Sequence, residues 1–378
     1  MSAIAREGTD QGDEGRGAIR VAEKGYDANG RKTLNQYTLL GVIARGALSK
    51  VKLATARKAG PAGAAAAAAP GQDSRFAIKI YSRRALKRPR MGLGRRQRMP
   101  FVDVFAREAR NLRALGEHRN VVRLFEYICA PDIDKVYLVL EYVGGGPCLG
   151  AWDPGTATFE GGALHATEAH CVFTNLLEGL SHMHAHAMAH GDIKPENILC
   201  ATMPASMGRG RARYVICDLG SAKQYGKAGG ADTVLETSTV GKTHAFFSPE
   251  MCGGCVTDSS SSSSSSLGCA DDEISYSPFQ ADLWAAGVTL FAVSSGRLPF
   301  WDARGGQPLF DAIISQKVQY PETMSLELRA LLDQMLNRST TRPGISALRQ
   351  HPWVVDGEGG SRHGNGQNEK KTNEKKTK

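Results

Sequence analysis

The segment HGDIKPEN at residues 190–197, followed by DLG at residues 218–220, decides the fold of this chain. Phosphoryl transfer needs an aspartate that accepts a hydroxyl proton and a cation beside the γ-phosphate, together with an aspartate and an asparagine that hold Mg²⁺. The two segments supply these groups as Asp192, Lys194, Asp218 and Asn197. A polar loop followed by a short turn is the alternative interpretation, and the order of the remaining motifs argues against it.

The eleven positions of these segments resemble the catalytic loop and the metal-binding turn of protein kinases. The resemblance implies an α+β fold of two lobes, with a β-rich N-lobe and an α-helical C-lobe. It also implies ATP and Mg²⁺ as cofactors, and transfer of the γ-phosphate to serine or threonine of a protein substrate. Lys194 favours serine/threonine over tyrosine specificity. A weak or inactive pseudokinase that binds partners through a basic insert is the alternative.

Residues 37–54 are predicted to form a strand, a turn and a strand, and the turn resembles the glycine-rich phosphate loop of kinases. Ala44, Gly46 and Ser49 occupy the three glycine positions, and Val51 follows them. Glycines let backbone N–H groups approach phosphates, and only the middle one is kept here. This loop is a weak signal by itself, because an ordinary hairpin would explain the segment equally well.

The next apolar strand ends at Lys79, with Ala77 two residues before it. The kinase resemblance implies that Lys79 binds the α- and β-phosphates and that Ala77 lines the nucleotide site. It assigns Glu108 as the partner of Lys79, in a helix predicted over residues 105–115 from its apolar spacing. Without the flanking motifs, Lys79 would be a solvated strand end and Glu108 a surface residue.

Two further strands are predicted, over residues 121–126 and over residues 136–142. The end of the second strand resembles a kinase hinge. This resemblance implies that the backbone of Glu141 and Val143 contacts the adenine edge and that Leu140 is the gatekeeper. The predicted adenine-site residues around the hinge and after the catalytic loop are Leu140, Glu141, Val143 and Leu199. A core strand that ends in a flexible linker is compatible with the same residues.

In the C-lobe a helix is predicted over residues 167–186, before the catalytic loop. The resemblance implies that Glu250 pairs with Arg342 and that Asp282 holds the backbone of the catalytic loop. The kinase domain is predicted over residues 34–355, divided into an N-lobe at 34–143 and a C-lobe at 144–355, with inserts at 57–74, 83–101 and 252–277. Residues 1–33 and the basic tail at 356–378 are predicted to be disordered.

The net charge of +9 is confined to two segments. Residues 83–98 carry eight positive charges and no acid, and residues 369–378 add five lysines against two glutamates. A nucleic-acid binder would spread basic residues over one face and interleave aromatics, so no nucleic-acid partner is predicted. An acidic partner or an anionic lipid remains open for the insert. Scattered cysteines and the lack of a long apolar run predict a cytoplasmic protein without a membrane span, and a monomer is expected.

The basic insert lies where the calcium/calmodulin-dependent protein kinase kinases carry an Arg-Pro-rich insert, so the chain resembles that subfamily. The resemblance implies that the protein substrate is another protein kinase, phosphorylated on its activation-loop threonine. Calmodulin is not predicted as a partner, because residues 356–378 lack the apolar anchors that a calmodulin-binding helix needs.

Departures from the kinase pattern bear on regulation. Gly191 replaces the arginine that usually binds an activation-loop phosphate, so activity is predicted to be largely independent of phosphorylation at residues 233–239. Leu219 replaces a phenylalanine and should keep its packing role. Thr243 is expected to bridge the catalytic aspartate and lysine, although its segment carries one residue more than the family pattern.

Overall fold

The structure is a computed structural model, and it describes most of the two predicted lobes. It describes residues 19–20, 22–46, 49–56, 74–83, 103–129, 134–201, 212–225, 234–235, 244–253, 275–339 and 341–357. The predicted α+β architecture is confirmed within these ranges: a curled sheet forms the N-lobe, and helices with short hairpins form the C-lobe.

The N-lobe sheet has eight strands in the described residues, antiparallel except where β1 runs beside β7. Across the sheet the strands follow the order β1-β7-β8-β6-β5-β4-β3-β2. The helix α1 (Asp103–Leu115) follows β6 and precedes β7 in the chain. In chain order the strands are β1 (Ile19–Arg20), β2 (Lys24–Tyr26), β3 (Lys32–Leu34), β4 (Tyr37–Arg45), β5 (Ser49–Ala56), β6 (Ser74–Ser82), β7 (Leu124–Cys129) and β8 (Lys135–Glu141).

Successive side chains of a strand point to opposite faces of the sheet, and each face of this sheet carries a cluster of buried apolar residues. The register pairs Val51 with Lys79 and Lys79 with Leu138, so these three residues form one row. Leu138 and Val51 pack in the same cluster as the apolar side of α1. Ile78, one position before Lys79, belongs to a second cluster on the opposite face. Alternation along β6 therefore places Lys79 on the face that α1 covers.

The prediction that residues 1–33 are disordered is wrong for the part that forms β2 and β3. A turn joins these strands, in which the Gly30 N–H donates to the Asp27 carbonyl at 3.0 Å and Gly30 adopts a φ of 71°. Leu34 at the end of β3 is 1% exposed and belongs to the second cluster. The polar composition of this segment concealed the hairpin, although the Asn-Gly pair at residues 29–30 is a strong hairpin signal.

Two long helices organise the C-lobe, α2 (Ala166–Ala185) and α3 (Pro278–Ser295). The hydroxyl of Ser277 caps the first turn of α3, and Gly296 ends the helix with a φ of 68°. Two short strands, β9 (Trp152–Asp153) and β10 (Thr158–Phe159), precede α2 in the chain. The short strands between α2 and α3 are β11 (Met188–Ala189), β12 (Ile198–Ala201), β13 (Arg213–Ile216), β14 (Lys223–Gln224), β15 (Val234–Leu235) and β16 (Ser275–Tyr276). The other α-helices in the described residues are α4 (Gly306–Ser315), α5 (Leu326–Met335), α6 (Ile345–Leu348) and α7 (Pro352–Asp356).

The predicted helices over residues 105–115 and 167–186 are confirmed as α1 and α2, with ends that differ by one or two residues. The strand predicted over residues 121–126 begins later, at Leu124, because Val121 forms only an isolated bridge with Ile216. No helix in the described part of the chain combines the length and apolar character needed to cross a bilayer.

Several predictions concern segments for which the structure gives no description. Most of the predicted inserts at 57–74, 83–101 and 252–277 lie outside the described residues, as does the predicted tail beyond residue 357. Thr243 and most of residues 233–239 also lie outside them, so the predicted bridging threonine and the predicted phosphorylation positions stay predictions.

Candidate active site

The catalytic loop is fixed to the C-lobe through one buried carboxylate on α3. Asp282 is 1% exposed, and its two oxygens accept the backbone N–H groups of His190 and Gly191, each at 2.8 Å. His184 Nε2 lies 3.0 Å from Asp282 Oδ2. Burial raises the pKa of Asp282, but hydrogen bonding and charge from His184 outweigh it and bring the pKa below its ordinary value. The predicted anchoring of the loop by Asp282 is confirmed.

Within the loop, a lysine and an asparagine orient the Asp192 carboxylate. Lys194 Nζ lies 2.9 Å from Asp192 Oδ2, and Asn197 Nδ2 donates to the same oxygen at 3.1 Å. Asn197 Nδ2 also donates to the Asp192 carbonyl at 2.8 Å, which closes the loop on itself. The side chains of Asp192 and Lys194 are 15% and 16% exposed, so both still reach solvent. The structure therefore brings together the three predicted catalytic-loop residues.

A hairpin places the metal-binding turn beside the catalytic loop. Ile198 of β12 pairs with Ile216 of β13, and the Cys217 N–H donates to the Asn197 carbonyl at 2.9 Å. Asn197 and Asp218 are therefore brought to the same end of this hairpin. Histidine adds a second link: His190 Nδ1 accepts the Asp192 N–H at 3.2 Å, so Nε2 carries the proton and donates to the Cys217 carbonyl at 3.1 Å.

Lys79 joins the N-lobe to both sides of this site. Its Nζ lies 2.9 Å from Glu108 Oε1 and 2.8 Å from Asp218 Oδ1, and its side chain is 8% exposed. Burial lowers the pKa of Lys79, but the Glu108 and Asp218 charges outweigh that effect and hold the pKa well above its ordinary value. The predicted pairing of Lys79 with Glu108 is confirmed, whereas the contact with Asp218 was not predicted.

Asp218 has the properties of a metal ligand. It adopts a φ of 60°, which turns the chain sharply after β13, and its side chain is 49% exposed. Burial raises the pKa of Asp218, but the Lys79 charge and hydrogen bond outweigh it, so the pKa lies below its ordinary value. An ionised, half-exposed carboxylate beside an asparagine offers the hard oxygen ligands that Mg²⁺ prefers.

Other predicted nucleotide-site residues lie around this centre. Ala77 pairs with Leu140 across β6 and β8, and Leu199 forms a bridge to Pro147 just after the hinge. The Glu141 N–H already donates to the Arg123 carbonyl at 2.9 Å. An adenine amino group needs a hydrogen-bond acceptor, and the Glu141 carbonyl is the backbone group that can accept from it. The remaining members are Val143, which is buried, and Ala44, Gly46, Ser49 and Val51 around the β4–β5 turn.

The β4–β5 turn is closed by a backbone hydrogen bond from Gly46 N–H to the Ser49 carbonyl at 2.9 Å. Ala44 pairs with Val51 across the same two strands. The tip, residues 47–48, lies outside the described residues. The two strands predicted over residues 37–54 are confirmed as β4 and β5, and Val51 of β5 lies in the strand row that contains Lys79.

The side chains of Tyr81 and Asn111 make hydrogen bonds at α1 that the sequence did not predict. Tyr81 donates its hydroxyl to Glu108 Oε2, and Asn111 Nδ2 donates to the carbonyls of Ala222 at 2.7 Å and Leu219 at 3.3 Å. Asn111 lies three residues after Glu108, on the same side of the helix. The helical spacing indicated which face of α1 is buried, but the sequence carried no signal for these long-range partners.

The C-lobe also contains the predicted ion pair between Glu250 and Arg342, and its geometry is bidentate. Arg342 Nη1 and Nη2 lie 2.8 and 2.9 Å from the two oxygens of Glu250. The Arg342 side chain has no exposed area, and its guanidinium stacks over Trp284 with 5.0 Å from Cζ to the ring centre. The predicted pair is confirmed, and it fixes the segment before α3 to the segment before α6.

Among the described residues, no group of three or more histidine, cysteine, aspartate or glutamate side chains is arranged to hold a metal ion. The Asp218 carboxylate and the Asn197 amide fit Mg²⁺, which proteins commonly bind through one or two carboxylates together with substrate phosphates and water. The nearby cation of Lys79 also suits phosphate groups. The side chains present therefore fit a nucleotide with Mg²⁺ better than an all-protein metal cage.

Comparisons with known proteins agree with a site that binds a nucleotide and Mg²⁺. The family described as "Protein kinase domain" matches residues 59–354. Serine/threonine-protein kinase GRIK1 of Arabidopsis thaliana is 31% identical over 337 residues, which cover 89% of this chain and 71% of that protein. Serine/threonine-protein kinase ssp1 of Schizosaccharomyces pombe is 31% identical over 336 residues, covering 87% of this chain and 44% of that protein. TOS3 of Saccharomyces cerevisiae is 29% identical, with 82% and 47% covered. The chain thus spans less than half the length of these two yeast relatives.

Proposed function

The chain belongs to the protein kinase family, and from that premise we propose that it phosphorylates an activation-loop threonine of another protein kinase. It is a serine/threonine protein kinase that uses ATP and Mg²⁺. The proposed substrate rests on the resemblance of its basic insert to that of the calcium/calmodulin-dependent protein kinase kinases. The observation that carries the mechanism is the convergence of Lys79, Asp192, Asn197 and Asp218 from three segments of the chain: β6, the catalytic loop and the metal-binding turn.

We assign the metal to Asp218 and Asn197. The Nδ2 of Asn197 is engaged with Asp192, so its amide oxygen is the atom left to face a metal. When bound, Mg²⁺ neutralises charge on the β- and γ-phosphates. Lys79, already ionised and oriented by Glu108, would then exchange its contact with Asp218 for the α- and β-phosphates.

Asp192 receives the proton of the acceptor hydroxyl in this proposal. Its Oδ2 is held by Lys194 and Asn197, so Oδ1 is assigned as the proton acceptor. The same two contacts fix the carboxylate orientation before substrate binds, which limits the reorganisation required in the transition state. Lys194 offsets the charge that develops on the transferred group. Retention of every one of these groups argues against an inert scaffold.

A peptide panel tests the proposed substrate. Peptides from the activation loops of diverse protein kinases are expected to be phosphorylated on threonine at kcat/KM values at least about tenfold above those for a generic basic peptide, since binding energy from flanking residues lowers the barrier. Mass spectrometry of the products identifies the modified residue. A panel phosphorylated no faster than the generic peptide would reject the substrate class while leaving kinase activity itself standing.

Phosphatase treatment tests the proposed independence from loop phosphorylation. Gly191, with a φ of 73°, stands where the family places a phosphate-binding arginine, so no guanidinium from this position can bind an activation-loop phosphate. The Lys79–Glu108 pair is also already formed. Protein treated with phosphatase is expected to keep kcat within about twofold of untreated protein, because no charge-assisted bond at this position is lost. Loss of turnover after treatment would contradict the proposal.

A further inference from the structure

The strand that carries Lys79 also carries a second group directed at Glu108. Tyr81 lies two residues after Lys79 on β6, so both side chains are on the same face of the sheet. Tyr81 is 3% exposed, and its hydroxyl donates to Glu108 Oε2, while Lys79 Nζ binds Glu108 Oε1. Each oxygen of the buried Glu108 carboxylate therefore has its own donor.

The hydroxyl of Tyr81 is a permanent donor. Burial raises the pKa of Tyr81, and the charge of Glu108 raises it further, so the group stays protonated at all working pH values. Its ring is flanked by Phe105 of α1, with 6.2 Å between ring centres, and by Lys79 Nζ at 5.4 Å from the ring centre. Tyr81 thus contacts α1 through both its ring and its hydroxyl.

The two donors to Glu108 differ in what else they do. Lys79 also binds Asp218, and the proposed mechanism requires it to turn to phosphates when a nucleotide binds. Tyr81 has no such second duty in the mechanism. We infer that Tyr81 is a positioning residue that holds Glu108, and with it α1, in the orientation needed for the Lys79 ion pair, whether or not a nucleotide is bound.

A second anchor on the same helix agrees with this inference. Asn111, one turn after Glu108, donates to the carbonyls of Leu219 and Ala222 in and beyond the metal-binding turn. Tyr81 therefore links α1 to the sheet, and Asn111 links the same helix to the C-lobe. The inference rests on the proposed role of Glu108, because Tyr81 is argued to act through that residue.

The Tyr81→Phe variant removes the hydroxyl and keeps the ring. We expect kcat to fall about tenfold, since a hydrogen bond to a charged group is lost, while KM for the protein substrate stays within about twofold. Amide hydrogen exchange in residues 103–115 is expected to accelerate about fivefold or more, because α1 loses one of its polar contacts with the sheet. Tyr127→Phe is the matched control: the Tyr127 ring stacks on Phe105 at 6.5 Å, and its hydroxyl interacts with Cys129.

A double-mutant cycle with Glu108→Leu separates positioning from general packing. In the Glu108→Leu background the loss of the Tyr81 hydroxyl is expected to change kcat by less than about twofold. An equal loss in both backgrounds, or wild-type kcat and exchange rates for Tyr81→Phe, would overturn the inference. If Glu108→Leu alone kept full activity, the assignment of Glu108 in the proposed mechanism would fail first, and the role of Tyr81 with it.

Discussion

The Asp192→Asn variant is expected to lose about 10²–10⁴-fold in kcat, the range that a positioned general base contributes. The substitution keeps the size of the side chain but removes the charge that receives the hydroxyl proton. It also leaves Lys194 Nζ without the carboxylate that lies 2.9 Å away. Because Lys79, Glu108 and Asp218 are untouched, KM for ATP is expected to stay within about threefold, so that the defect lies in the chemical step.

Steady-state kinetics with varied ATP and varied protein substrate measure this split. Glu196→Gln is the matched control, because Glu196 is a carboxylate of the same loop whose side chain is exposed. It is expected to change kcat by less than about twofold, in keeping with a surface substitution. Wild-type turnover by Asp192→Asn would remove Asp192 from the mechanism, and equal losses in both variants would indicate a disturbed loop.

The catalytic loop was predictable because its parts are local. Asp192, Lys194 and Asn197 lie within six residues, and the structure joins all three by direct hydrogen bonds or ion pairs. Residue type and spacing were therefore sufficient there. The loop backbone also needs Asp282, and that link followed from the family resemblance, because spacing does not reveal a contact between residues 91 or 92 positions apart.

The contacts that sequence reasoning missed are all long-range. Tyr81 and Glu108 are 27 residues apart, and Asn111 and Leu219 are 108 residues apart. In the sequence, a tyrosine in an apolar strand indicates core packing, and an asparagine in a helix indicates no particular partner. Only the fold shows that the Tyr81 hydroxyl and the Asn111 amide meet partners from other segments.

The N-terminal hairpin was missed for a different reason. Its strands are short and mostly polar, with β2 exposed along its whole length, so composition suggested disorder. What folds it is a single buried side chain at the end of each arm, Ala22 before β2 and Leu34 at the end of β3, both in the second N-lobe cluster. Low average hydrophobicity conceals such an arrangement, because a few buried residues and a well-formed turn suffice when a sheet edge already exists.

The contact of Lys79 with Asp218 has a mechanistic consequence. In the described structure the lysine is shared by two carboxylates, so its charge is fully compensated before a nucleotide binds. If Asp218 holds the metal, as proposed, its carboxylate is no longer available to Lys79. The nucleotide phosphates would then replace the lost partner, which links metal binding and phosphate binding at one side chain.

The largest effect on stability is expected from Arg342→Met. The substitution leaves Glu250, whose side chain is only 11% exposed, without its bidentate partner. It also removes hydrogen bonds from the guanidinium to the carbonyls of Asn337 at 3.1 Å and Gln280 at 3.2 Å. Removing one partner of a buried ion pair costs about 3–5 kcal/mol, because the other charge stays buried and uncompensated. We expect the free energy of unfolding to fall by that amount in urea denaturation.

Arg349→Met provides the matched control, since Arg349 forms an ion pair of similar length, 2.9 Å, with Glu178, and both side chains are more than a third exposed. An exposed pair of that kind contributes about 0.2–1 kcal/mol, so its removal should barely shift the urea midpoint. The double variant Arg342→Met, Glu250→Met is expected to recover part of the lost stability, because two apolar side chains leave no buried charge. Equal effects of Arg342→Met and Arg349→Met would show that burial of the Glu250–Arg342 pair does not set its contribution.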